Sequence, residues 1–181
     1  MTITSATKDA TDLTLVFVTE FAATPEEVWE VWENPRLLEK WWGPYAYPAT
    51  FVRHDFVEGG ESRYYMTGPE GQIAPGYWRI ESIDKPRSLT FANGIAGEDG
   101  EPSPEFGLMA ASMTLEATGT GTRMTVTSRF ESAEQMDKYL EGGMEEGMSQ
   151  ALSQIDALLT KRPSGFSMLE RWSLMAVSGF E

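Results

Sequence analysis

A histidine and a tyrosine on either side of a predicted turn are the side chains here whose types and spacing best suit chemistry. His54 is the only His in the chain, and the ordinary imidazole pKa of about 6.5 suits proton transfer near neutral pH. Tyr64 follows after Gly59-Gly60, so a hairpin brings both residues onto neighbouring strands, where together they could polarise a carbonyl. A general base also needs a partner to orient it. The adjacent Asp55 alternates to the opposite face of the strand. His54 is therefore read as a hydrogen-bonded wall residue. No catalytic residue is assigned, and binding is favoured over catalysis.

Composition removes other chemistries. With no Cys, disulfides, thiol nucleophiles and thiolate metal sites are excluded. A single His excludes multi-His zinc, copper and facial-triad iron sites. No Asp/Glu spacing matches a calcium loop. Neither metal nor cofactor is expected. The 28 acidic side chains against 14 basic ones leave a formal net charge of -14, which repels phosphate backbones and anionic lipid. Nucleic acid and membrane are thus not expected as partners. The first residues are polar without a signal core, and no apolar run approaches the roughly 18 residues of a membrane span. The expected location is cytoplasmic.

The elements that position these groups are legible as patterns. Residues 13–21 alternate as a strand. Thr24-Pro25-Glu26-Glu27 is a capping box with Pro at the first helical position, opening a helix that buries Val28, Val31 and Trp32. Asn34-Pro35 opens a second helix, expected to stop at Gly43-Pro44. Strand-like segments then alternate with turns at Gly59-Gly60, Gly68-Pro69-Glu70-Gly71, Asp84-Lys85-Pro86-Arg87 and Gly119-Thr120-Gly121. Short connections of this kind make the sheet antiparallel, with about seven strands. Residues 93–107 carry no periodicity and are rich in Gly, Pro and acid, as in a functional loop. Ser132 and Gln135 open one long helix to about Thr160, with Met136, Leu140, Met144, Met148, Leu152, Ile155 and Leu159 on its apolar stripe. Gly142, Gly143 and Gly147 interrupt it, which implies a bend, room for a ligand, or both. The expected organisation is a flexible N-terminus at 1–11, a ligand-binding domain at 12–160 and an extension at 161–181 with a short amphipathic helix.

Asn34-Pro35, Trp41-Trp42-Gly43-Pro44, Asp55-Phe56 before Gly59-Gly60, Tyr64-Tyr65-Met66, Gly68-Pro69-Glu70-Gly71 and Asp84-Lys85-Pro86-Arg87-Ser88-Leu89-Thr90-Phe91 occur in one order. In that order the chain resembles bacterial homologues of the activator of the 90-kDa heat-shock-protein ATPase, within the SRPBCC (START/Bet v 1-like) superfamily. The resemblance implies an α+β helix-grip fold: a curved antiparallel sheet wrapped around a long C-terminal helix, with two short helices after the first strand. It also implies an apolar cavity between sheet and helix, of the kind that takes lipids, sterols or polyketides. Three positions depart from the pattern. Val57-Glu58 stands where a basic residue is usual, Ser62 where a bulky aromatic is expected, and Gly147-Met148 where Gly-Trp is common.

Strand alternation sorts the cavity face. Val52, His54, Phe56, Ser62, Tyr64, Met66, Trp78, Ile80, Leu89, Phe91, Met109, Ala111, Met113, Met124, Val126 and Ser128 turn inward under one register. The expected ligand-binding set is Trp41, His54, Phe56, Ser62, Tyr64, Trp78, Phe91, Met113 and Ser128, with Met144 and Met148 from the helix. His54, Tyr64 and Ser128 are its polar members. Ser62 and Met148, each replacing a ring, enlarge the space, and the inward Met residues suit ligands of varied shape. The leading expectation is a small apolar ligand, with the 93–107 loop and the tail as lids. The alternatives are a co-chaperone-like module that docks on a chaperone ATPase, and a cyclase- or hydrolase-type enzyme. Self-association through the C-terminal tail is a further expected mode.

Overall fold

Alternating apolar residues and Gly-containing turns build one eight-stranded antiparallel sheet in the computed structural model, which describes residues 3–160. The strands are β1 (Ile3–Asp9), β2 (Thr14–Phe21), β3 (Ala49–His54), β4 (Glu61–Thr67), β5 (Ile73–Asp84), β6 (Ser88–Ile95), β7 (Met109–Thr118) and β8 (Gly121–Arg129). Their spatial order is β1-β2-β8-β7-β6-β5-β4-β3. From β3 to β8 the chain meanders through the four predicted turns and the 96–108 loop. The segment between β2 and β3 carries the chain to the far edge. The curved sheet with its C-terminal helical segments is the expected helix-grip arrangement.

The extra strand lies where a flexible N-terminus is expected. Residues of β1 pair with β2, with Ala6 opposite Phe17 and Lys8 opposite Leu15. Asp9 closes the turn by accepting the N–H groups of Thr11 and Asp12 at 2.8 and 2.9 Å. The strand is held by its backbone bonds, and Ser5 to Lys8 are exposed. Polar side chains on a sheet edge carry no apolar alternation, so the pattern gave no sign of it.

Helix α1 (Pro25–Glu33) starts as its sequence dictates. Thr24 Oγ1 accepts from Glu27 N at 3.3 Å, and Glu27 Oε2 accepts from Thr24 N at 2.8 Å. Val28, Trp29, Val31 and Trp32 are buried beneath it. Helix α2 (Pro35–Leu38) is capped by Asn34 but ends before the predicted Gly43. Residues 39–43 continue as turns that send both Trp41 and Trp42 inward.

The single long helix expected from 132 to 160 is three: α3 (Ala133–Glu141), α4 (Met144–Ser153) and α5 (Ile155–Thr160). The break between α3 and α4 sits at Gly143, whose φ of 87° is left-handed and therefore favours glycine. Ser132 caps α3 as predicted, accepting from Gln135 N at 3.0 Å. Gln154, at the joint of α4 and α5, donates to the carbonyls of Trp41 and Gly43 at 3.3 and 2.8 Å. That contact ties the C-terminal helices to the Trp-Trp-Gly turn.

One strand departs from simple alternation. Val52 is 68% exposed, while Phe51 is 3% exposed and His54 still faces inward. A register shift between Phe51 and Arg53 places an extra residue in β3, so the period of two fails there. The segment 161–181, with its predicted helix and its roles as lid or subunit contact, lies outside the described residues.

Candidate functional site

A cavity of about 520 Å³ opens between β4–β6, the turn after α2, and helices α3 and α4. Trp42, Met66, Met109, Met144, Met148 and Phe106 stand among its apolar lining. Gly142, Gly143 and Gly147 line the helical side. The glycines thus both break the helix and leave space: a Cβ on Gly147 would meet nothing closer than Pro44 Cγ at 3.9 Å.

Tyr64 belongs to this wall, and its position follows from cross-strand pairing. It stands opposite Gly76 in the β4–β5 ladder. The end of its ring occupies the space that a Cβ at position 76 would need. The ring stacks on Phe51 at 4.8 Å and meets Trp42 edge-on at 6.2 Å. Burial pushes its hydroxyl pKa up to about 12.

Of the expected ligand set, the structure brings Tyr64, Met144 and Met148 together at the wall. Trp41 is placed one layer back: it is fully buried, and its indole N–H donates to Val31 O at 2.8 Å. Trp42 takes the wall position instead. Trp78 and Phe91 are fully or almost fully buried, their rings tilted against each other at 4.5 Å, with Trp42 standing 4.7 Å from Trp78. Met113 lies in the core and Ser128 is buried between β2 and β7. None of these lines the cavity.

His54, Phe56 and Ser62 form a separate cluster. Ser62 is fully buried, and its hydroxyl lies 2.7 Å from His54 Nδ1. His54 Nε2 is 3.2 Å from Trp32 O. A carbonyl can only accept, so Nε2 carries the proton and Ser62 donates to Nδ1. Phe56 packs against the imidazole at 5.2 Å and Trp29 at 5.8 Å. The small side chain at 62 therefore makes room for His54, not for a ligand. His54 and Tyr64 make no joint site, because Phe51 and Trp78 contact both rings and His54 spends its hydrogen bonds elsewhere.

The burial of His54 has a measurable consequence. Desolvation lowers its pKa, opposed by the Trp32 carbonyl. The unfolded chain then binds this proton more readily than the folded one, so stability rises with pH across the window between the two pKa values. The stabilisation is full above the unfolded value near 6.5 and is lost as pH falls through the lower folded value. Urea melts from pH 8 to pH 5 are expected to show a wild-type loss that His54→Gln reduces. Parallel pH profiles in the two proteins would refute the assignment.

Of the 93–107 loop expected as a lid, the first three residues continue β6 and the rest is stapled to α3. Gln135 Nε2 donates to Phe106 O and Leu108 O at 3.0 and 3.1 Å, and Lys138 Nζ to Glu105 O at 3.1 Å. The Tyr139 hydroxyl donates to Gly107 O at 2.9 Å and accepts from Ile95 N at 3.2 Å. This grip sets Phe106 on the cavity wall. Asn93 also reaches the wall; it continues the Leu89–Phe91 alternation, which was the signal available for it. Nothing in the pattern marked Tyr139 or Lys138, which depend on how α3 meets the loop. Among the described residues, no group of three or more carboxylates or imidazoles could hold a metal, and no helix is long and apolar enough to cross a membrane.

Comparison with known proteins agrees with this architecture. Residues 22–160 match the profile of the family described as Activator of Hsp90 ATPase homolog 1-like protein. No curated protein matches the chain. A solution NMR structure of a protein from Arthrobacter aurescens is 47% identical, covers 92% of this chain and 97% of its own, and superposes with a TM-score of 0.86. A crystal structure of a protein from Mycobacterium smegmatis is 41% identical over 88% of this chain and 98% of its own, with a TM-score of 0.82. The AHSA1 protein from Silicibacter pomeroyi is 23% identical over 81% of this chain and 97% of its own; its TM-score of 0.66 speaks to the fold alone. The sheet, the broken C-terminal helix and the profile match over most of the sequence together show that this chain belongs to the Activator of Hsp90 ATPase homolog 1-like family of the SRPBCC superfamily.

Proposed function

We propose that this protein binds a small apolar molecule in the cavity between β4–β6 and α3–α4. The observation that carries this reading is the cavity itself. Its volume of about 520 Å³ falls within the range of ligand pockets, and its wall is largely ring, thioether and glycine. Thioethers adapt to shape, which suits a ligand held by fit. Its lining residues include no carboxylate and no imidazole, so the reading is a carrier or sensor. A cytoplasmic location accompanies it, in keeping with the acidic surface.

Native mass spectrometry of freshly purified protein is the test. A stoichiometric bound mass is expected in the wild type. Met148→Trp, which fills the cavity from α4, is expected to abolish it while the melting temperature holds within a few degrees. A wild-type protein that stays empty, both as purified and after incubation with a cell lipid extract, would overturn the reading.

The family description supports a second reading, docking on a chaperone ATPase. Glu134, Asp137, Glu141 and Glu146 are exposed on α3 and α4 and would face a basic partner. Charge reversal at Glu145 and Glu146 should abolish capture of such an ATPase, and Met148→Trp should leave it intact. The opposite pattern excludes this surface.

A further inference from the structure

One polar side chain faces the cavity from the sheet with most of its hydrogen-bonding capacity unspent. Leu89, Phe91 and Asn93 alternate onto one face of β6, and the first two are core residues. Asn93 is 6% exposed and lines the cavity. A carboxamide offers two N–H donors and an oxygen with two lone pairs. Here its one side-chain bond runs from Nδ2 to Met109 O at 3.5 Å, the far limit of hydrogen-bond length. A carbonyl can only accept, so this contact fixes which way the amide points. No described residue donates to the Asn93 oxygen. Unlike the unpaired indole nitrogens of Trp29 and Trp32, which are sealed in the core, that oxygen opens onto the cavity. Burying an amide costs free energy unless it is partnered, and a third apolar residue would continue the Leu89–Phe91 stripe at no such cost.

We propose that Asn93 is the polar anchor of the cavity, and that the ligand is an apolar molecule carrying a neutral group that both donates and accepts, such as a hydroxyl. This rests on the cavity-binding reading above and specifies its ligand class. The free Asn93 oxygen receives the ligand's proton, and the N–H not turned to Met109 returns a bond to the ligand's oxygen. A carboxylate would set its charge against the Asn93 oxygen and lose its water without a cation to replace it. The cation on the wall, Lys138, is held elsewhere, by the Glu105 carbonyl at 3.1 Å and by Glu134 at 3.7 Å. Two tyrosines of the wall are also committed. Tyr139 donates to Gly107 O and accepts from Ile95 N, and the Tyr47 hydroxyl accepts from Gln72 at 3.3 Å. The ring end of Tyr64 stands over Gly76, whose ladder partner Ile95 is two residues along β6 from Asn93. That ring bounds the space beside the amide and leaves the apolar body of the ligand to Met144 and Met148 opposite.

The test uses two probes of nearly equal shape on the full-length protein, 1-hydroxypyrene and 1-methylpyrene, with binding read as quenching of tryptophan emission. A wall of rings and thioethers alone favours the methyl probe, because the hydroxyl loses its bonds to water and gains none. The wild type is expected to bind the hydroxyl probe more tightly. Asn93→Leu keeps the size of the side chain and removes its polar atoms. It should weaken the hydroxyl probe by about tenfold, the worth of one to two hydrogen bonds, and hold the methyl probe within about threefold. If both probes bind and the variant leaves their ratio unchanged, the anchor assignment is overturned and the cavity reading stands. If neither probe binds the wild type, both fall together. Should Asn93→Leu not fold, the wild-type ratio decides: a methyl probe bound as tightly as the hydroxyl probe, or more so, overturns the proposal, and a tighter hydroxyl probe supports it.

Discussion

Trp41→Ala is expected to lower stability by about 3–5 kcal/mol and the melting temperature by roughly 10 °C. Trp41 has no exposed surface and touches Trp32 at 4.7 Å and Trp42 at 5.5 Å, both edge-on. Removing it leaves a cavity that these rigid rings cannot collapse into, so the lost transfer free energy and the void add. It also leaves the Val31 carbonyl without the 2.8 Å donor that now satisfies it. Trp41→Phe separates the two effects, because a ring remains and the N–H does not. Urea titrations followed by circular dichroism measure all three proteins. A loss below about 1 kcal/mol for Trp41→Ala would mean that the aromatic cluster is not the structural anchor described here.

Gly43→Ala is the second large effect, expected to cost about 3 kcal/mol and to abolish ligand binding. Gly43 has φ of 113°, a conformation that side chains resist. A Cβ there would collide with the Tyr47 carbonyl oxygen and press on Met66 at 3.4 Å. The thioether can give way, but the backbone carbonyl cannot without reshaping the turn. Trp42, Gly43, Pro44 and Tyr47 of that turn line the cavity, and its Gly43 carbonyl accepts the Gln154 side chain at 2.8 Å. The substitution should therefore move the wall and loosen the C-terminal helices together. Thermal melts and native mass spectrometry on one preparation check both. An alanine variant that melts and binds like the wild type would show that the turn tolerates rearrangement.

How much of the site was legible depends on how local each determinant is. The capping box at Thr24, the N-cap at Ser132 and the turns at Gly59-Gly60 and Gly119-Thr120-Gly121 are set within a few residues, and each stands where the sequence puts it, although the Gln135 side chain accepts from Glu131 N instead of closing a box on Ser132. Tyr64, Met144 and Met148 stand on the cavity wall, in keeping with the strand alternation and the helical stripe read from the sequence. Where the period is interrupted, prediction failed. The register shift in β3 turned Val52 outward, and the αL residue Gly143 divided the last helix.

By itself the sequence determined an acidic α+β chain of one family, an antiparallel meander, the helix starts, and a core built on Trp and Met. Those follow from composition, caps and alternation, which act over a few residues or sum over the whole chain. Only the tertiary structure decided that Trp42 rather than Trp41 faces the cavity, because a one-residue choice in a non-helical turn is settled by what each ring packs against. Only it decided that Ser62 serves His54, since their hydroxyl–imidazole contact spans two strands. It alone showed β1, whose backbone bonds leave no mark on side-chain pattern, and the grip of α3 on Phe106 and Gly107. Long-range packing chose among local options that the sequence left equal in energy.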